Sequence, residues 1–413
     1  MSLRSEMIAA VGEEHVKDDV VGERAGLFIT PGSAAEVAEV IRRANALRVA
    51  VHPVGAGGKT EAAHRDLTER ERVFVSTKRL DQVLQLDEQS LLVHAQVGIT
   101  GLDLERILAP RGLSIGDYPP VVLTSSLGGI IAVRTPGKSS ARHGFFEEAV
   151  AGVSAVLADG RTVHTRVAPR RSTGPDLSRA LCGSEGTIGF ITSAVLRIHK
   201  KPEARLVAAY VLPSIEAAIS AVYLALREEA APSGLRIYDA IETSRHFDGL
   251  QLEPGEALMC AGTAGPTDLA ACDRDLIASA VVAEGGRETD SALADLWWRR
   301  LHAGVPTPVA APQLQIMGTP TKLRGVYRAV LAEAARLGIT ASAHISRFDP
   351  DGGLVFFTLG TEPHMIDVAH IEQVAEAAGG WLLGARTTKL DGYLRALRAE
   401  LDPHGIMNPG TLA

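Results

Sequence analysis

The chain has 413 residues, a net charge of -7 and 46% hydrophobic content. That length suits two domains, or one with a large insertion, and buries a substantial core. The mild acidity excludes a general field for nucleic acid or anionic membrane, and Cys182, Cys260 and Cys272, widely spaced with no CxxC pair, suggest neither a disulfide framework nor a zinc site.

The N-terminal stretch MSLRSEMIAAVGEEHVKDD carries acidic residues and no apolar core of signal-peptide length. No run approaches the roughly 20 apolar residues of a membrane span. The tail Gly410-Thr411-Leu412-Ala413 is not a peroxisomal signal. The expectation is a cytoplasmic protein with no membrane span.

Ser33-Ala34-Ala35-Glu36 has the capping-box pattern, and Val37, Val40, Ile41, Ala44 and Leu47 follow at helical spacing. Val49-Ala50-Val51 reads as a strand ending at Pro53. The turn Pro53-Val54-Gly55-Ala56-Gly57-Gly58-Lys59-Thr60 comes directly behind it. Its main-chain N–H groups suit a diphosphate, and a plain Gly-rich turn fits equally well. The spacing is not that of a P-loop. Strands are expected over Val73–Val75 and Leu91–Val97, and a helix from Thr100 that Gly112 closes.

The run from Gly116 to Gly144, GDYPPVVLTSSLGGIIAVRTPGKSSARHG, then predicts a long loop without secondary structure of its own. Loops of that length in compact domains are usually functional. Glycines such as Gly128 and Gly129 admit close approach of a ligand or another backbone. The working reading is a wall along a large phosphate-bearing cofactor. An apolar strand over Ala149–Leu157 follows, then a hairpin turn at Asp159-Gly160 into Thr162-Val163-His164. The block Gly183-Ser184-Glu185-Gly186-Thr187-Ile188-Gly189 precedes a strand over Ile191–Ile198.

Lys200-Lys201-Pro202 marks a boundary, and the rhythm beyond it is strand and helix mixed, with antiparallel neighbours joined at Asp349–Gly353. Strands are expected over Leu206–Val211, Leu235–Asp239, Ala257–Thr263, Gln313–Met317, Ile339–Ile345 and Leu354–Leu359. Helices are expected over Ser214–Glu229, Thr267–Val282, Lys322–Leu337 and His364–Ala378. The composition is that of an α+β unit, and its two strand–helix halves suggest a diverged repeat.

Taken in order, five blocks (Pro53–Lys59, Ser125–Gly129, Gly174–Leu177, Gly183–Ile191 and Asp402–Gly410) resemble the FAD-binding domain of the vanillyl-alcohol oxidase superfamily, also called PCMH-type. The resemblance runs from about Phe28 to Leu412. Gly116–Pro120, Leu127–Gly129 and Arg171–Asp176 look most like alkyldihydroxyacetonephosphate synthase, with glycolate and D-lactate dehydrogenase subunits next. It implies an α+β fold: a two-subdomain FAD-binding domain over residues 1–200, an α+β cap of antiparallel sheet and helices over 201–390 that forms the substrate pocket, and a segment, 391–413, returning to the FAD domain.

The resemblance also implies site residues. Pro53, Gly55, Ala56, Gly57, Gly58, Lys59 and Thr60 would hold the FAD pyrophosphate. Pro119, Thr124, Ser125, Leu127, Gly128, Gly129 and Gly144 would lie along the rest of the cofactor, Glu185, Gly186 and Ile191 on its ADP side, and Asn408 over the flavin. Covalent members carry a His in the first glycine turn. Here His52 precedes that turn and His64 follows it, so non-covalent FAD and no metal are expected.

Arg236 matches an active-site arginine of the synthase block and suits a substrate carboxylate or phosphate; pairing with Asp239 or another acid is the alternative. His344, on a predicted strand, is a candidate proton acceptor or a hydrogen-bonded core residue. Trp297-Trp298 is either a pocket wall or one buried and one rim contact. The synthase has a histidine cluster where this chain reads Gly379–Thr388, and a tyrosine where it has Phe356 and Phe357. Those losses favour an FAD-dependent oxidoreductase passing a hydride from a small anionic substrate, such as a hydroxy acid, to flavin N5. A redox-neutral synthase-like transferase and an FAD-binding subunit of a larger dehydrogenase are the alternatives. The expected partners are that substrate and an electron acceptor, with a homodimer left open.

Overall fold

The computed structural model describes residues 2–21, 24–56, 68–116, 123–134, 140–167, 176–247, 249–303, 313–360, 367–383 and 392–411. The expectations for Gly57–Thr60, His64, Pro119 and Gly174 lie outside the described residues.

The chain opens with α1 (Leu3–Val11), β1 (Val16–Val21) and β2 (Arg24–Ile29), elements the sequence reading passed over. Next come α2 (Ala34–Leu47), β3 (Ala50–Val54) and β4 (Arg72–Ser76). These strands form a four-stranded sheet in the order β1-β2-β4-β3, with β2, β4 and β3 parallel and β1 antiparallel. Ser33 accepts the Glu36 N–H at the start of α2, and the Glu36 carboxylate takes the Gly32 N–H in return. Val37, Val40, Ile41 and Ala44 then fall on one face and are buried, which holds the helix on the sheet.

β5 (Val83–Asp87), β6 (Leu92–Gln96), β8 (Val150–Val156), β9 (Thr162–His164) and β10 (Phe190–Arg197) make an antiparallel five-stranded sheet, ordered β5-β6-β10-β8-β9. The short strand β7 (Leu113–Ser114) pairs separately with β11 (His199–Lys200). Helix α3 (Gly101–Leu108) is capped by Thr100, and Gly112 takes the left-handed conformation just past its last turn, as expected.

The run 116–144 departs from the expected loop. It contains α4 (Leu127–Ala132) and α5 (Ser140–His143). The reason is local hydrogen bonding: Ser126 Oγ accepts the Gly129 N–H, and Ser126 O accepts that of Ile130. Leu127 and Gly128 donate to Ile99 O and Val97 O, which fastens the start of α4 to the end of β6.

Beyond β11 lies one antiparallel eight-stranded sheet with the order β15-β12-β14-β13-β17-β18-β16-β19. Its first half is β12 (Ala204–Leu212), α6 (Ile215–Arg227), β13 (Gly234–Asp239), α7 (Ala240–His246), β14 (Ala257–Gly265), α8 (Thr267–Ala283) and β15 (Arg287–Glu288). After α9 (Ser291–Ala303) the second half is β16 (Gln313–Gly318), α10 (Pro320–Arg336), β17 (Ala341–Asp349), β18 (Gly352–Leu359), α11 (Val368–Ala377) and β19 (Trp381–Leu382). With the inserted α7 set aside, each half is a βαββαβ unit with the same strand order. The repeat suggested by the sequence is therefore present in the topology. The halves join at their equivalent strands, β13 and β17.

Helices α6, α8, α10 and α11 cover one face, packing on Leu235, Ile237, Ala343, Ile345, Val355 and Phe357. Alternation along the strands puts Arg236, Tyr238, Ser342, His344, Ser346 and Phe356 on the opposite face. Helix α5, from the 116–144 run, packs against β13 and β17. The junction of the two halves therefore meets the segment read as the cofactor wall.

Candidate active site

Two neighbouring regions gather the expected residues. In the first, three separate blocks meet beside β3. Asn408 has a left-handed φ of 44° and lies between His52 and the 183–189 block. Its Oδ1 is 3.0 Å from His52 Nδ1, its Nδ2 donates to Glu185 O at 2.6 Å, and its N–H donates to Val51 O at 2.8 Å. Gly183 and Glu185 donate to Ile131 O and Ala132 O, tying that block to α4. Gly186 has a φ of +77°, and a Cβ there would lie 2.8 Å from Pro53 Cγ. A Cβ on Gly55 would collide with Ser126 Oγ. Pro53, Gly55, Ser126, Gly129, Glu185, Gly186 and Asn408 thus frame one narrow seam between the two smaller sheets.

Some expected residues serve this seam indirectly. Leu127 and Ile191 bury their side chains in the core of the five-stranded sheet. The Gly128 N–H is taken by Val97 O, and a Cβ there would press on Val97, so this glycine serves the packing of α4 on β6. Thr124 and Ala56 are exposed and Ser125 is half-buried. Gly144 ends α5 with a φ of +69°. His52 is buried at 2% exposure, consistent with a strand residue engaged by Asn408. We expect Gly55→Val to lose about 1–3 kcal/mol of cofactor affinity through overpacking. Absorbance after desalting would then show FAD occupancy clearly below wild type.

The second region is the face of the β13–β17 junction that points away from helices α6, α8, α10 and α11. Tyr238 stands opposite His344, and Arg236 opposite Ser346. His344 stacks on Phe356 with centroids 4.6 Å apart and an interplanar angle of 11°. Its Nδ1 lies 3.4 Å from Glu242 Oε1. Glu242 is 1% exposed and also takes His246 Nε2 at 3.0 Å and Ser342 Oγ at 2.6 Å. Burial alone would raise its carboxyl, but hydrogen bonds from His246, His344 and Ser342 outweigh burial and hold it well below the usual range. An ionised carboxylate only accepts, so Nδ1 of His344 carries the proton and Nε2 keeps its lone pair. Burial, and then the positive charge of Arg236, pushes His344 down to about 4. It stays neutral at physiological pH.

Arg236 does not pair with Asp239. That acid accepts the Glu242 N–H at 2.7 Å as the cap of α7 and the Ala343 N–H at 2.6 Å. Burial raises Asp239 to about 6 despite those bonds. Arg236 instead reaches Tyr238 Oη from Nη1 at 3.4 Å. Trp297 is buried with Tyr238, Phe247 and Cys260 and backs this face, while Trp298 carries Arg205 over its ring, so the pair divides into one buried and one outer contact.

Glu242, His246, Tyr238 and Arg347 escaped the sequence reading. Asp239-Ala-Ile-Glu242 is an acidic version of the capping pattern that opens a helix, and it marked α7. Glu242 and His246 then follow at i and i+4, on one face. Glu242, His246 and His344 offer ligand atoms within 4.8 Å of one another, so the donor set also suits a divalent cation. The sequence reading expected no metal.

Comparison with known proteins bears on both regions. An FAD binding domain family matches residues 25–166. The C-terminal domain of FAD linked oxidases matches residues 201–353 and 377–412. The FAD-linked oxidoreductase YgcU of Escherichia coli K12 is 28% identical over 432 residues, covering 92% of this chain and 87% of that protein. Alkyldihydroxyacetonephosphate synthase of Dictyostelium discoideum is 32% identical over 222 residues, covering 54% of this chain and 36% of that protein. A solved structure of an alkyldihydroxyacetonephosphate synthase superposes with a TM-score of 0.79 at 22% identity, covering 98% of this chain and 85% of that one. With an FAD binding domain matched over residues 25–166 and the C-terminal domain of FAD linked oxidases over 201–353 and 377–412, the chain belongs to the FAD-linked oxidases.

Proposed function

We propose that this protein oxidises a small anionic substrate, a hydroxy acid or a close relative, at the β13–β17 junction. The residues present suit FAD: Gly55 and Gly186 let the 126, 53 and 408 segments pack closely, as a main-chain diphosphate site requires, and Asn408 ties them together. FAD, when bound, supplies the acceptor for the hydride leaving the substrate carbon. Arg236 holds the substrate carboxylate as a planar, always-charged donor. His344 Nε2 takes the hydroxyl proton as the carbonyl forms, and Glu242 fixes the imidazole tautomer and faces the cation that results. Phe356 stacks on the ring and fixes its plane.

The observation carrying this reading is the neutral, oriented His344 beside Arg236. The similarity to the synthase favours a redox-neutral transferase as a second reading. Against it, Phe356 occupies the strand where that family has its tyrosine, and phenyl transfers no proton. The division at about residues 200 and 390, into FAD domain, cap and returning segment, belongs to the same proposal. Among the described residues no helix is long and apolar enough to cross a membrane.

Anaerobic mixing of the FAD-loaded protein with a panel of hydroxy acids tests the reading. Bleaching of the visible flavin band by a panel member supports it; no bleaching by any member contradicts it. Acid precipitation of the protein is expected to leave the flavin in the supernatant, and a yellow pellet would show a covalent link.

A further inference from the structure

Beside Arg236 stands a second guanidinium that the proposed reaction does not use. Arg347 follows Ser346 on β17 and has a left-handed φ of 57°. The register of β17 on β18 shifts between Ser346 and Asp349, so Arg347 sits in a bulge. Bulges re-aim side chains, and non-glycine residues in this conformation persist where the surroundings hold them. The bulge places the Arg347 guanidinium 5.2 Å from the centroid of Phe356, the ring that stacks on His344. Arg347 is therefore aimed across the same face as Arg236 and His344.

Arg236 lies near enough to act on Arg347 as a like charge. Burial and the nearby charge of Arg236 lower Arg347 to about 10, and no carboxylate acts to raise it. Among the described residues neither arginine forms an ion pair. The acids on β13, α7 and β17 are engaged: Glu242 by His246, His344 and Ser342, Asp239 by the start of α7 and Ala343, and Asp349 by the N–H groups of Asp351 and Gly352. Two further groups on the spot lack partners. Arg236 Nε is buried without a hydrogen bond, and so is Ser346 Oγ, on a residue 5% exposed that stands opposite Arg236. Buried donors and like charges without partners are costly, and an anionic ligand would satisfy them together.

We propose that Arg236, Arg347 and Ser346 together bind the two negative charges of the substrate, so that it is a dianion, with a second carboxylate or a phosphate ester, rather than a simple monocarboxylate. This rests on the proposed substrate site and narrows the class of substrate it takes. Arg236 and Arg347 come from the equivalent strands of the two βαββαβ halves and the bulge behind one of them. The site therefore depends on the junction of the repeats and on no single sequence motif.

Calorimetric titration of the FAD-loaded protein with malonate, inorganic phosphate and acetate tests this without turnover. We expect at least one dianion to bind about tenfold or more tighter than acetate, as charge-assisted hydrogen bonds to a second arginine require. Whichever dianion binds tighter reports whether the second charge is a carboxylate or a phosphate. Arg347→Gly removes the guanidinium and relaxes the left-handed backbone, so it leaves the fold intact. It is expected to erase the preference while acetate affinity stays within about twofold. Ser346→Ala is expected to weaken dianion binding by about fivefold, the scale of one hydrogen bond. Acetate binding as tightly as both dianions, or an unchanged preference in Arg347→Gly, overturns the proposal. Dianion binding without hydroxy-acid turnover would leave the site standing and remove only the oxidation chemistry.

Discussion

His344→Gln is expected to slow anaerobic flavin reduction by about 10²–10⁴-fold, the usual contribution of a positioned general base. The glutamine amide retains a donor towards Glu242 but has no basic nitrogen. Substrate affinity should change little, because Arg236 remains. Stopped-flow reduction across a range of substrate concentrations separates the two quantities. The pH dependence follows from the same geometry. The ordinary value for histidine is 6.5, and burial and Arg236 push His344 down to about 4. The base form therefore persists from high pH down to about 4, and the reduction rate should stay level across the neutral range. A loss of rate centred near the ordinary histidine value would contradict the assigned environment. Stability follows the same sign. The unfolded chain takes the proton first as pH falls, so the contribution of neutral His344 is present above the ordinary value and is lost as pH falls towards about 4.

Arg236→Met is expected to reduce kcat/KM for the anionic substrate by roughly 30- to 4,000-fold, since removing one partner of a buried charge pair costs about 2–5 kcal/mol. Arg236→Lys should recover little of this, because an ammonium cannot reproduce the planar fork. Flavin content and its visible spectrum should be those of the wild type in both variants, since Arg236 lies outside the seam framed by Pro53, Gly186 and Asn408. Steady-state kinetics with the substrate identified by anaerobic reduction checks the prediction. A kcat/KM within a few-fold of wild type would show that the carboxylate is held elsewhere.

The glycines of the seam stood out in the sequence because each answers a steric demand that only glycine meets. Gly186 must adopt a positive φ and Gly55 must admit Ser126, and such demands leave glycine in the sequence. The strands and helices of the eight-stranded sheet were legible for a similar reason. The nearly continuous buried runs of β13, β17 and β18, and the helical spacing in α6 and α10, follow directly from residue order. The 116–144 run was misread because Gly, Pro and Ser dominate its composition. Its helix α4 depends on one serine cap and on carbonyls supplied by β6, which composition does not show.

The chemistry of the junction was only half legible. Arg236 and His344 stood out as residue types, but their partners did not. Helix α7 has seven residues, too few for periodicity to register, so Glu242 and His246 were passed over. The aim of Arg347 depends on a bulge, a property of strand register. Even the alternative offered for Arg236, a pair with Asp239, fails for a reason that only three dimensions supply. Asp239 turns to cap α7 and to hold the Ala343 N–H across the strand.

Single-turnover reduction with a hydroxy acid deuterated at the carbon bearing the hydroxyl tests the central claim most directly. Hydride loss at the β13–β17 junction predicts that the visible flavin band disappears without oxygen, at a saturable rate that deuteration slows and Arg236→Met depresses. A flavin band untouched by every hydroxy acid, together with conversion of an acylated dihydroxyacetone phosphate and an alcohol without any electron acceptor, would contradict it.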